Sequence, residues 1–301
     1  MSKSIMYFLV IIILVISIIL LNQKQENTIK IYSVKKITSI IKTNEIEKCT
    51  IPIIINKKNS YYLNVEYISN IYIKDDNTQN LVPLSFINAI FIGEINFLNE
   101  TFYQYNLELR IDIESTSYES FYNNAKLYID YTNNEMVSLE IGEFNYHYKE
   151  LNNSDLSLNN LEGVFGDVNG INTLKGIKIT LKSKIDEEII IKDISFFTNN
   201  IIINNRDIIN GDSEIPSDFN HMIINTNNQD LNITLQQETM FVVPFRYQNI
   251  LYSTRLPIKI TYTVNNVLKE MVIDDFMFMS SNYFETEKEA YFKVASITKS
   301  N

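Results

Sequence analysis

The residues best suited to chemistry in this 301-residue chain are few: His147, His221 and Cys49, with 36 Asp and Glu spread along its length. Nucleophilic hydrolysis needs a base held beside Ser or Cys. Neither histidine lies in a nucleophile motif, and both read as strand or loop surface residues, while Cys49 stands beside the strand-like run Ile51–Ile55. Zinc requires a close set of Cys, His or carboxylate ligands, and no such cluster occurs. Asp167-Val168-Asn169-Gly170 opens like a calcium loop, yet Ile171 stands where the next acidic ligand belongs. Carboxylate pairs for glycoside cleavage exist in any acidic chain and select nothing. The sequence therefore assigns no catalytic, cofactor-binding or metal residue and implies no cofactor. The 19 Tyr and 17 Phe could form a stacking platform for sugars, and Tyr61, Tyr62, Tyr103, Tyr105, Tyr146 and Tyr148 are dense. Alternation along strands assigns most of them to the core instead.

The elements that would position these residues are strands. Beyond Thr28 apolar residues recur with period two in stretches rich in Ile, Val, Tyr, Phe and Thr, the mark of half-buried strands. Tyr61, Leu63, Val65 and Tyr67 alternate with Tyr62, Asn64 and Glu66. Leu107, Leu109, Ile111 and Ile113 alternate with polar neighbours in the same way. Further strands are predicted over Lys126–Thr132, Met136–Phe144, Lys175–Ser183, Glu188–Phe197, Met240–Tyr247, Pro257–Thr263 and Leu268–Met279. Asn133-Asn134 and Asn265-Asn266 each join two such runs, and paired Asn can supply the positive φ angles of a tight hairpin.

Ile177-Lys178-Ile179-Thr180 returns as Ile258-Lys259-Ile260-Thr261, and Glu188–Phe196 is echoed by Glu270–Phe278. This repeat is read as the closing hairpin of two modules. The expected fold class is all-β, with tandem antiparallel β-sandwich, immunoglobulin-like modules behind one transmembrane helix. The expected domains are residues 1–27 as anchor, 28–200 as a first sandwich region and 201–301 as a second module. The stretch Leu151–Thr173, polar and holding three of the seven glycines, reads as a long loop.

A hydrophobic content of 45% excludes wholesale disorder, and a net charge of -10 argues against nucleic acid. The single cysteine excludes an internal disulfide. Ile5–Leu21 is uncharged and close to the length that spans a bilayer, with no small-residue cleavage site after it. It predicts a signal-anchor, a single-pass protein of the cell membrane, and a membrane partner through Ile5 to Leu21. Counting positive flanks alone would leave the body in the cytoplasm; the usual form of anchored β-rich proteins favours an extracellular ectodomain. The functional expectation is a membrane-anchored, extracytoplasmic, non-enzymatic interaction or structural module that meets another envelope or surface protein. The alternative is an anchored carbohydrate-binding or carbohydrate-active protein with a site on loops such as Leu151–Thr173.

Overall fold

The computed structural model describes residues 29–42, 47–77, 80–112, 120–148, 154–168, 171–198, 200–216, 219, 231–247, 253–273, 277–279 and 292–299. Within them the chain forms strands and three single 3-10 turns. The first part holds β1 (Ile31–Val34), β2 (Lys36–Lys42), β3 (Lys48–Ile55), the turns η1 (Tyr61–Leu63) and η2 (Val65–Tyr67), β4 (Ile68–Asp75), β5 (Leu81–Phe97), β6 (Glu100–Ile111), β7 (Ser120–Tyr131) and β8 (Glu135–Tyr148). The second part holds β9 (Leu156–Val168), β10 (Ile171–Ser183), β11 (Ile189–Phe196), β12 (Ile201–Ile202), η3 (Asn205–Asp207), β13 (Ile209–Asn210), β14 (Ile233–Leu235), β15 (Glu238–Pro244), β16 (Arg246–Tyr247), β17 (Ser253–Arg255), β18 (Ile258–Val264), β19 (Val267–Ile273), β20 (Met277–Met279), β21 (Phe292–Val294) and β22 (Ser296–Lys299).

A 12-stranded sheet dominates, with the order β20-β17-β2-β8-β7-β4-β5-β6-β3-β1-β21 and β22 beside β8. It rolls nearly shut because two stretches of chain each pair in two directions. β1 runs antiparallel to β3, while its continuation β2 runs parallel to β8. β5 meets β4 through Leu81, Val82 and Pro83 and then turns to pair β6 from Leu84 to Phe97. Two four-stranded sheets, β13-β15-β10-β9 and β14-β11-β18-β19, and the small pair β12-β16 make up the rest.

Alternation places one face of each long strand inside. Ile71, Ile73, Leu107, Leu109, Leu127, Ile129, Val137 and Leu139 fill the near-closed barrel. Ile177, Ile179, Ile189, Ile191, Phe241, Val243, Ile258 and Ile260 fill a second core between the smaller sheets. Each such side chain contributes about 1.5–3 kcal/mol on burial. β2 serves both cores, with Ile40 in the first and Ile37 in the second, neither exposed to solvent. The Asn265-Asn266 turn has φ of 50° and 63°, as the hairpin reading requires.

Several expectations are corrected. Tandem immunoglobulin-like sandwiches give way to a near-closed barrel sheet with smaller sheets. The repeated strands do not occupy equivalent places: β18 and β19 form a hairpin, but β10 pairs β9 and β15, while β11 crosses to pair β18. Among the described residues no helix is long and apolar enough to cross a membrane, and Ile5–Leu21 lies outside them. The signal-anchor, the membrane partner, the single-pass cell-membrane location and the anchored extracellular function, with its anchored carbohydrate alternative, therefore lose their support and are withdrawn. Tyr61–Tyr67 is not a strand but η1 and η2, because the Ser60 and Asn64 side chains accept from the amides of Tyr62 (3.4 Å) and Glu66 (3.0 Å) and cap each turn. Leu151–Thr173 is not one loop, since Leu156–Val168 pairs along β10.

Candidate functional site

β5 is the longest strand, at 17 residues. Past Pro83 it leaves β4, so from Leu84 to Phe97 it is hydrogen-bonded to β6 on one side, and among the described residues no strand pairs its other side. The direction of its amides follows from neighbouring bonds. Ile111, opposite Leu84, sends its amide to Glu47 O at 3.0 Å, so the amides of the Leu84–Ile111 pair point away from the β5–β6 ladder. The Ala89 amide donates to its neighbour Asn88 Oδ1 at 2.8 Å. Register shifts between Phe86 and Asn88 and between Phe91 and Gly93 insert one extra residue at each point.

Sheet edges in proteins are commonly blunted by charge. Between Leu84 and Phe97 the sole charged residue is Glu94, which pairs with Lys58 at 3.2 Å. The Lys58 ammonium also lies 4.8 Å from the centre of the Phe91 ring. Ile87, Ile90, Phe91 and Ile92 are 40%, 39%, 43% and 48% exposed, four large apolar side chains within six residues. Ordinary strand patterning would leave polar residues there.

A groove of about 370 Å³ runs beside the start of this edge, between η1–η2 and β5. Leu63, Val65, Phe86, Ile87 and Ala89 give it apolar walls, Asn and Ser side chains add hydrogen-bonding groups, and no lining residue is charged. The wall opposite β5 is pinned from behind. Tyr62 donates to Glu135 Oε2 at 2.9 Å, Tyr61 donates to the same oxygen, and Tyr131 donates to Tyr62 O at 2.9 Å. Burial first, and then the hydrogen bonds around Glu135, raise the Tyr61 phenol above its ordinary value; burial followed by the neighbouring Tyr61 raises Tyr62. Both remain donors at neutral pH.

Two other polar clusters hold structure together. At the turn into β5, the 5%-exposed Asp75 accepts from the Asn77 amide (2.9 Å), Asn77 Nδ2 (3.0 Å) and the Asn124 amide (3.2 Å). Asp76 is bound by Lys126 and by Tyr128 Oη at 2.6 Å. A cavity of about 290 Å³ beside them mixes Lys35, Lys126, Asp75, Asp76 and Glu140, with charges of both signs already engaged. Where the two cores meet, Glu143 accepts from Asn145 (2.6 Å), Thr198 (2.7 Å) and Asn200, while Ser39 and Asn145 both donate to Phe197 O, at 2.6 and 3.1 Å.

The residues singled out from sequence are scattered. His147 is not at the surface as expected but buried between the rings of Phe121 and Phe197, at 4.8 and 4.9 Å. Cys49 is buried in the barrel core. Asp167 pairs with Asn172 in the β9–β10 ladder, and His221, Asn169 and Gly170 lie outside the described residues. Tyr105 and Tyr146 are core residues, whereas Tyr61 and Tyr62 stack at 4.1 Å behind the groove. Among the described residues no group of His, Cys, Asp and Glu could hold a metal ion. Sequence reasoning missed β5 beyond Pro83. The available signal was a long β-prone run, Leu84–Phe97, with one charge and no proline.

No protein-family model and no curated protein matches the chain. Among solved structures, the C-terminal domain of the Streptococcus agalactiae AgI/II polypeptide BspA is 8% identical, with 80% of this chain and 97% of that chain covered and a TM-score of 0.19. A structure described as BspA_C_WT gives 8% identity, 80% and 98% coverage, and a TM-score of 0.19. At that score the likeness carries no argument about fold or function.

Proposed function

We propose that this chain works by strand addition: the open edge of β5 binds an extended polypeptide strand that brings no unpaired charge. The single observation that carries the reading is the edge from Leu84 to Asn96, which no strand among the described residues pairs and which bears exposed Ile87, Ile90, Phe91 and Ile92. In strand addition the main-chain ladder supplies affinity and alternate side chains supply selectivity. The uncharged groove selects against segments that bring an unpaired charge, because burying one is costly. Its Asn and Ser groups can satisfy a visiting backbone.

A fluorescein-labelled nine-residue peptide of alternating Thr and Val tests the reading, beside the same peptide N-methylated at alternate amides. The unmethylated peptide is expected to bind saturably, the methylated one to lose at least tenfold in affinity, and Ile87→Lys with Ile92→Lys to weaken the unmethylated peptide similarly. Equal binding of the two peptides would mean that no ladder forms and would overturn the reading.

A further inference from the structure

The open edge of β5 has an internal symmetry that names its partner. Along an antiparallel ladder, alternate residues turn their amides toward one neighbour and then the other, and at a bulge two consecutive residues turn toward the same neighbour. The bulges fall at Ile87-Asn88, opposite Glu108, and at Ile92-Gly93, opposite Gln104. Starting from the outward Leu84, the residues whose amides face the open side are Leu84, Phe86, Ala89, Phe91, Glu94 and Asn96. This set is symmetric about Ile90. A two-fold axis there maps Leu84 onto Asn96, Phe86 onto Glu94 and Ala89 onto Phe91, and maps one bulge onto the other.

We propose, resting on the strand-addition reading, that the strand captured by β5 is β5 of a second copy of this chain, antiparallel and with the dyad on Ile90. An edge bent by bulges admits a regular strand over only part of its length, and such bends are one way proteins limit edge pairing. A copy of the same strand, reversed, carries the same bends at the same places. The outward-facing residues of one copy then meet outward-facing residues of the other, as an antiparallel ladder requires. A dyad placed between Ala89 and Ile90 would instead set an outward amide against an inward one, so parity selects Ile90.

The side chains suit the arrangement. Ile90 meets its own copy, Ala89 meets Phe91, and Ile87 meets Gly93, a small position able to receive it. The exposed Ile92 faces Asn88. Glu94 faces Phe86, so the two like charges are held eight residues apart along the ladder, about 27 Å at roughly 3.4 Å per residue, and each keeps its own Lys58. The contact is isologous, the commonest form of symmetric dimer.

Cysteine cross-linking of the full-length chain under mild oxidation reads this register directly. Residues opposite one another lie with Cα atoms about 4.5–5.5 Å apart, within the range of about 4.4–6.8 Å that a disulfide spans. Ile90→Cys is expected to form a disulfide-linked dimer by itself. Asn88→Cys alone and Ile92→Cys alone are not, because like residues are then four positions apart, about 14 Å. An equal mixture of the Asn88→Cys and Ile92→Cys chains is expected to cross-link at least tenfold more than either alone. All the substituted side chains are on the exposed strand, and the native Cys49 is buried. Absence of dimer from both Ile90→Cys and the mixture, or equal cross-linking in every sample, would overturn the proposal. If the Thr-Val peptide still binds in that case, strand addition stands and the partner is another chain; if the peptide also fails, both fall.

Discussion

The large sheet treats two of its seams differently, closed where β2 meets β8 and open where β5 leaves β4. At the closed seam seven residue pairs run in parallel, from Lys36 with Gly142 to Lys42 with Tyr148. Gly142 has φ of +95°, and a Cβ there would lie 2.4 Å from Lys36 O. Closure therefore depends on one position that only glycine fills without strain. At the open side no comparable device is present: β5 keeps its ladder to β6, is bent by two bulges, and leaves apolar side chains in water. The difference teaches that the sheet removes one edge internally and holds another in reserve for a second chain.

Gly142→Val should have the largest effect, because it attacks the closure. Left-handed strain of about 1–3 kcal/mol and overpacking of about 1–3 kcal/mol together predict a loss of roughly 2–6 kcal/mol in urea unfolding. A loss below about 1 kcal/mol would show that the seam is loose enough to admit a side chain, and the contrast with β5 would collapse. Next in size is the open edge. Ile87→Lys with Ile92→Lys should weaken self-association at least tenfold, about 1.4 kcal/mol, as measured by sedimentation over a concentration series. The unfolding midpoint should hardly move, since exposed positions of this kind alter stability by about 0.5 kcal/mol or less. A matching fall in folding stability would mean that these isoleucines serve the fold rather than a partner.

How much of this contrast was legible beforehand depends on how local its cause is. The Asn265-Asn266 hairpin was readable, because two adjacent residues with positive φ and alternating flanks specify it. The core faces of β6, β7 and β8 followed from period two. Tyr61–Tyr67 misled because its alternation is real, yet caps from Ser60 and Asn64 offer the backbone a better local solution. β9 reads as loop because Asn159-Asn160-Leu161-Glu162 has weak strand propensity; its pairing to β10 supplies what the residues lack. The repeat misled because strands of one composition can sit in different sheets. The open edge could not be read locally at all, since whether β5 has a neighbour is decided by where it leaves β4, and the closing glycine is evident only once Lys36 is placed beside it.

The smallest expected effect tests the turn that delivers the chain from β4 into β5. A hydrogen bond from Lys126, then one from Tyr128, holds the Asp76 carboxyl below its ordinary value. A depressed carboxylate stabilises the fold above its unfolded pKa of about 3.9, and that contribution is lost as pH falls through the lower folded value. Asp76 is half exposed, so solvent screening limits the term to under about 1 kcal/mol. Asp76→Asn should therefore cost a few tenths of a kcal/mol (~0.5) at neutral pH and nothing once the carboxylate is protonated, by urea unfolding at both pH values. Self-association should stay unchanged, because Asp76 lies at the paired end of β5. A loss of association would tie the open edge to this turn.

β2 also has a consequence in time. Lys36 pairs with Gly142, and chains are synthesised at about 5–20 residues per second, so β2 waits roughly 5–20 s on the ribosome before its partner strand exists. Its second apolar face, through Ile37, waits as long again for Leu256 and Ile258. For that interval Ile37, Ile40 and Ile41 form an uncovered apolar segment, exposed until β8 emerges.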